Sequence, residues 1–260
     1  MFMKNALLAV LLITPIFGIL GTMIINNKMA FFSDALGHSA LTGIAIGVIL
    51  GVKDPLWAMI LFSVLLGLTI LTVKNANTAS MDTIIGVFSA TAVSLGVVIL
   101  SHSGGFTKYS AYLIGDLLSI TPENIYILAL VLLVVFILWF FIFNKLLLFS
   151  INKALAKSRR VNVRLIEYLF TFIIAVIVTI SIQWVGLLII NSLLILPAAA
   201  ARNVAKNIRQ YHILSIFFAV VSGILGLILS YFWGTATGAT IVLVCATFFI
   251  LTFILKPKFV

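Results

Sequence analysis

The sequence predicts an all-α integral membrane protein, a polytopic bundle of 8–9 transmembrane helices, and three observations carry that prediction. Of 260 residues, 63% are hydrophobic and only 8% charged, whereas a soluble domain carries roughly a quarter charged residues. Mean hydropathy is +1.32. The apolar residues gather into runs at 5–25, 55–73, 83–100, 125–143, 165–182, 184–201, 212–233 and 236–255, each close to the roughly 20 residues a helix needs to cross a bilayer. A closed barrel would instead need alternating segments of about 10 residues, and none is visible.

The first run opens as "MFMKNALLAVLLITPIFGILG". A basic residue ahead of an apolar core fits a cleavable signal, but no small-x-small site precedes a soluble domain and the apolar pattern continues, so this segment is read as the first span. Residues 29–52 can be read as a full span or as a partly broken one, which leaves the count at eight or nine. "TPEN" reads as a helix start, with Thr121 as N-cap and Pro122 at the first helical position, where its missing N–H costs nothing. Gln183 and Trp184 read as a very short outer turn with an interfacial aromatic anchor. Asp82 and Glu167 read as acids at helix starts, favourable to the helix dipole. His102, in "SHSGG", reads as a histidine of an exposed glycine-rich turn, and His212 as a marker of the interface beside a basic loop.

The formal net charge of +10 is mostly a matter of topology rather than of nucleic acid as a partner. "NKLLLFSINKALAKSRRVNVR" carries Lys145, Lys153, Lys157, Arg159, Arg160 and Arg164 and no acid, so that loop is expected on the cytoplasmic side. "AARNVAKNIRQYH", with Arg202, Lys206 and Arg209, and the tail "KPKFV", with Lys256 and Lys258, follow at intervals of two spans and fall on the same side. "SHSGGFTKYSAYLIGDLLSITPEN", with Asp116 and Glu123 against one lysine, fits the outer face, and "KNANTASMD", with Lys74, the inner one. The C-terminus is therefore inside; the side of the N-terminus stays open. The lone Cys245 excludes a disulfide framework or a thiolate cluster within one chain. The chain reads as a single transmembrane domain over 1–260, with no insert large enough for a nucleotide-binding domain and no G-x-x-x-x-G-K-[ST] phosphate loop. If the protein uses ATP, another chain supplies the ATPase, and this chain is not itself the enzyme.

The most unusual stretch is "FFSDALGHSALTGIAIG", residues 31–47. Asp34 and His38 are i and i+4, which on a helix stacks carboxylate and imidazole on one face about a turn apart. Ala35, Ser39, Gly43, Gly47 and Gly51 repeat at four-residue spacing and form a small-residue stripe about 100° away, suited to close approach of another helix. Ionisable groups within a span cost at least about 2.5 kcal/mol on insertion scales and mark a pathway or functional site. Carboxylate plus imidazole suits zinc, manganese or iron. Three readings stand at this point: a divalent-metal site; a proton relay in a secondary transporter; and a structural arrangement in which Asp34 caps a helix beginning at Ala35 while His38 bonds back to it.

"LLIINSLLILPAAAARNVAKNIRQ" is the second unusual stretch. Asn191 and Ser192 are polar within a span, Pro197 is expected to kink or end it, and Ala198 to Ala201 followed by Arg202 and Lys206 makes a short basic amphipathic piece. It reads either as an ordinary span with a basic cap or as a short helix that docks on a cytoplasmic partner.

Four motifs in order, "FFSDALGHSALTGIAIG", "MDTIIGVFSATAVSLGVVIL", "YLIGDLLSIT" and "VGLLIINSLLILPAAAARNVAKN", make the chain from about residue 7 to residue 256 resemble the permease subunits of ATP-binding-cassette importers for zinc, manganese and iron. The resemblance implies import of a divalent metal by alternating access in a bacterial plasma (inner) membrane. It also implies a second permease copy in a homodimer or heterodimer, a cytoplasmic ATPase dimer and an extracytoplasmic metal-binding protein. It implies further that no cofactor is bound permanently, that the metal is cargo and that ATP acts through the partner. By the same resemblance Asp34 and His38 match the family's metal pair, and the segment near 198–209 matches its ATPase-coupling helix, with Ala200, Ala201, Arg202, Asn203 and Lys206 as approximate coupling residues. The alternative, a proton-coupled secondary metal transporter using Asp34 and His38, would be supported by internal repeats, and none is convincing.

Overall fold

A computed structural model describes residues 2–52, 54–76, 79–102 and 120–256. Its helices are α1 (Phe2–Asn26), α2 (Ala30–Ile49), α3 (Pro55–Asn75), α4 (Met81–His102), α5 (Pro122–Ile151), α6 (Lys153–Ser158), α7 (Val163–Val185), α8 (Leu187–Val204), α9 (Ile208–Trp233) and α10 (Thr237–Ile254). Among the described residues no strand occurs, as expected where the bilayer offers no water to satisfy open backbone groups. Eight of these helices are long and apolar enough to cross a membrane, and α8 contributes a shorter apolar stretch, Ile189–Val204. Residues 29–52, ambiguous in sequence, contain one unbroken helix. Most of "YLIGDLLSIT", together with Asp116 and Lys258, lies outside the described residues.

Local chemistry sets the boundaries. Asp54 caps α3, its Oδ1 accepting from the Leu56 N–H at 3.0 Å, with Pro55 at the first helical position. Thr121 does the same for α5, its Oγ1 accepting from Asn124 N–H at 3.4 Å ahead of Pro122, as the sequence predicts. The turn between α7 and α8 is at Gly186, whose φ of +83° a side chain would resist, rather than at Gln183 and Trp184, which remain in α7. Pro197 does not end α8, which runs on to Val204. A proline at this depth forfeits its own bond to the Leu193 carbonyl, and the alanines that follow are the strongest helix formers.

The described residues group into two compact units. The first lies within Met1–Lys28, Asp116–Phe141 and Trp184–Val260. In it α1 packs on α8 and α9, and α10 also packs on both. Close approach is made possible by glycines: a Cβ on Gly18 would lie 2.8 Å from Ile216 Cα, and the Ser215 hydroxyl donates to the Gly18 carbonyl at 2.6 Å. This unit settles the direction of α1. The Asn5 amide donates to the Ile120 carbonyl at 3.3 Å, so α1 starts beside the predicted outer "TPEN" turn. At its other end Asn26 lines a pocket with Arg202 of the last turn of α8 and Lys206 of the α8–α9 connection. With the basic residues inside, the start of α1 lies toward the outer side.

The second unit lies within Met29–Gly115 and Ile142–Gln183. Here α2 is the core helix, packed on α3 and α4. Lys74, near the end of α3, donates to Glu167 of α7 at 3.3 Å, and Thr72 Oγ1 lies 2.9 Å from the Tyr168 hydroxyl. Glu167 is thus the fifth residue of α7, just past its first turn, 6% exposed and ion-paired with Lys74.

Candidate functional site

Ala30 begins α2, with Met29 at its N-cap position and no side-chain capping bond there. Asp34 is therefore a full turn inside the helix, which removes the capping reading: its carboxylate is too far along to meet the first free N–H groups. His38 Nε2 lies 3.5 Å from Asp34 Oδ1, so the i, i+4 pair does converge.

Packing against two helices orients the pair. From Phe31 to Thr42, every residue of α2 is buried except Phe31, Asp34 and His38, which share one face. The small-residue stripe is buried against α3, as predicted: Ser39 Oγ is 3.4 Å from Ser63 Oγ, and a Cβ on Gly43 would lie 2.6 Å from Met59 Cα. Gly51 does not belong to the stripe, since it lies beyond α2 at φ +69° with nothing within 4 Å of its would-be Cβ. On another side α4 closes in at Gly96, where a Cβ would lie 2.9 Å from Thr42 Cα, and the Thr42 hydroxyl donates to the Ala92 carbonyl. Leu41, Ala45 and Leu100 fill the remaining α2–α4 contact.

The open face of α2 lines a cleft of about 480 Å³, whose opposite wall is α4 with Asp82, Ile85, Gly86, Ser89 and Ala90. Those α4 positions follow i, i+3, i+4, i+7, i+8, a single helical stripe. Asp82, read from sequence as an acid of the first turn, is in that turn and also faces the cleft that holds Asp34 and His38. The sequence signal was present in the small and polar residues at helical spacing after it. The Asp34 and His38 side chains are 45% and 40% exposed, so an ion in the cleft can reach both without displacing the core. Among the described residues no group of three or more His, Cys, Asp or Glu gathers closely enough to hold a metal ion. The described residues therefore offer two convergent donor groups and a third carboxylate on the facing wall, fewer than the four-ligand cage of a structural zinc. His102 is the last residue of α4, exposed, about 30 Å along the helix from Asp82 at 1.5 Å per residue.

The predicted coupling residues divide by burial. Ala200 and Ala201 are fully buried with Tyr211 and Phe218, so they position the segment and present no surface to a partner. Asn203 donates to Thr252 Oγ1 of α10 at 3.3 Å, while Arg202 and Lys206 are exposed. The segment is the last turns of α8 followed by a three-residue connection, and not a separate short helix. That connection is held in shape: Asn207 Oδ1 caps the Gln210 N–H at 2.8 Å, and the Gln210 side chain reaches back to the Lys206 N–H at 2.9 Å. His212 lies in α9, its Nδ1 2.8 Å from the Ile208 carbonyl and its ring near Trp139.

A family described as "ABC 3 transport family" matches residues 1–256. The high-affinity zinc uptake system membrane protein ZnuB of Haemophilus influenzae is 31% identical, over 97% of this chain and 97% of the relative. The manganese import system permease protein ScaB of Streptococcus parasanguinis is 31% identical, over 99% of this chain and 91% of the relative. Among solved structures, PsaBC from Streptococcus pneumoniae in complex with Fab superposes with a TM-score of 0.85 at 30% identity, covering 99% of this chain and 92% of that one.

Proposed function

The chain belongs to the ABC 3 transport family, and from that membership we propose that it is the membrane permease of an ATP-driven importer of a divalent transition metal, multi-pass in a bacterial inner membrane. The observation that carries the metal assignment is the pairing of Asp34 and His38, 3.5 Å apart, on the only open face of the Phe31–Thr42 stretch, inside a cleft. Zinc, manganese and ferrous iron accept a carboxylate oxygen and an imidazole nitrogen together, and relatives named for zinc and for manganese support that range.

Two ligands from the described residues of each chain make a weak site, which suits a pathway: an ion must be held well enough to enter and loosely enough to leave. A second permease copy adds a second pair by symmetry. Asp82, across the cleft, raises the local cation concentration without closing the coordination shell. The whole chain acts as one permease domain. With no phosphate loop in the sequence, the energy comes from a cytoplasmic ATPase dimer, received at Arg202, Asn203 and Lys206 on a platform set by Ala200 and Ala201. An extracytoplasmic metal-binding protein delivers the ion.

The test is metal-resolved uptake by the assembled transporter in vesicles. Asp34→Asn and His38→Ala should each abolish uptake of zinc, manganese and iron while the complex still assembles; full uptake in both variants sinks the site. Uptake that needs a proton gradient and ignores ATP would replace this reading with a secondary transporter.

A further inference from the structure

In the first unit, at the junction of α8 and α9, lies a pocket of about 240 Å³ lined by Asn26, Arg202, Lys206, Asn207 and Tyr211. It carries two cations, and no acid of the described residues is paired with either. The described residues of that unit hold one acid, Glu123, in the first turn of α5. That turn adjoins Asn5 at the start of α1, whereas the pocket adjoins Asn26 at its end, about 30 Å away along the helix. The unit cannot neutralise these cations from its own described residues.

A second feature of the same pocket is independent of charge. Tyr211 is 6% exposed, and its hydroxyl is buried with no hydrogen-bond partner. A buried hydroxyl without a partner is rare in a folded protein, because it has given up water and received nothing. The ring is pinned by Ala200, Ala201 and Phe218, so the hydroxyl cannot swing out to solvent at low cost. The capped α9 terminus and the Lys206–Gln210 bond likewise hold the connection ready before any partner arrives.

We propose that this pocket seats a carboxylate side chain of the cytoplasmic ATPase, held by Arg202 and Lys206 and by a hydrogen bond from the Tyr211 hydroxyl. The proposal rests on the permease reading above, which puts an ATPase against this face. A carboxylate fits because it accepts from several donors at once and bonds between charged groups are the strong ones. The exposure of Lys206 and Asn207 on the connection beyond α8 directs the opening to the aqueous side.

The experiment measures association of the purified cognate ATPase subunit with the full permease, in nanodiscs of phosphatidylcholine alone and of phosphatidylcholine with phosphatidylglycerol. Tyr211→Phe removes one oxygen and keeps the packing; it should weaken association about tenfold in both disc types, as should Arg202→Gln, with the permease melting temperature unchanged. Unchanged Kd in both variants, beside a wild type that binds, overturns the pocket assignment and leaves the permease reading standing. An effect confined to discs containing phosphatidylglycerol assigns the pocket to a lipid phosphate and also overturns the proposal. A wild-type permease that binds no ATPase overturns the permease reading itself.

Discussion

Placing a methyl group at Gly43 tests whether the α2–α3 contact is what holds the Asp34–His38 face in position. The added Cβ would lie 2.6 Å from Met59 Cα, 3.0 Å from the Ala58 carbonyl oxygen and 3.1 Å from Met59 N. Carbon atoms pack best about 3.5–4.0 Å apart, so the Met59 contact is short by about 1 Å. The three nearest atoms are all backbone, so no rotamer change relieves the clash and α2 must move away from α3 as a body. Overpacking of this kind costs about 1–3 kcal/mol. The same displacement shifts the pair, about one and a half to two and a half turns away, relative to the α4 wall of the cleft. Gly43→Ala should therefore lower both the melting temperature of the detergent-solubilised permease and metal uptake in reconstituted vesicles. Gly86→Ala is the control, because a Cβ there meets nothing within 4 Å and exchanging glycine for alanine in an exposed helix adds up to about 1 kcal/mol of helix stability. Wild-type melting and uptake in Gly43→Ala, or an equal loss in Gly86→Ala, would refute the packing argument.

Three further outcomes are expected. Gly86→Leu should melt like wild type yet lose uptake, because its side chain enters the cleft beside Asp82 without meeting the core; uptake at the wild-type rate means that ions do not use the cleft. Asp82→Asn should raise the KM for metal more than it lowers the maximal rate, since the carboxylate attracts the ion without completing its shell, and an unchanged KM at low ionic strength removes that role. Lys74→Met should destabilise the permease by about 2 kcal/mol, because it removes a charged hydrogen-bond donor from the buried Glu167 carboxylate. Glu167→Gln should cost less, since Lys74 is 21% exposed and its ammonium can reach water; chemical denaturation that ranks the two the other way contradicts this account.

The sequence by itself determined the elements that depend on neighbours along the chain. Apolar run length, the Thr121–Pro122 start, the i, i+4 convergence of Asp34 and His38 and the burial of Ala35, Ser39, Gly43 and Gly47 all follow from helical period and local hydrogen bonding, and each has its place in the structure. Reading Asp34 as a cap was equally local and failed for one reason: α2 begins five residues earlier than the alternative required, at Ala30. Ending the span at Pro197 failed because one lost backbone bond does not outweigh the packing of Ala200 and Ala201 on Tyr211 and Phe218. Tertiary structure alone decided that Asp82 shares a cleft with residues 44 and 48 positions before it, that Lys74 meets Glu167, and that Asn26 adjoins Arg202 and thereby fixes the side on which α1 starts. Each of these joins residues far apart in the chain, and hydropathy along the sequence cannot say which faces of equally apolar helices will meet. In a bilayer that choice belongs to close packing of small residues and to the few polar groups that find partners.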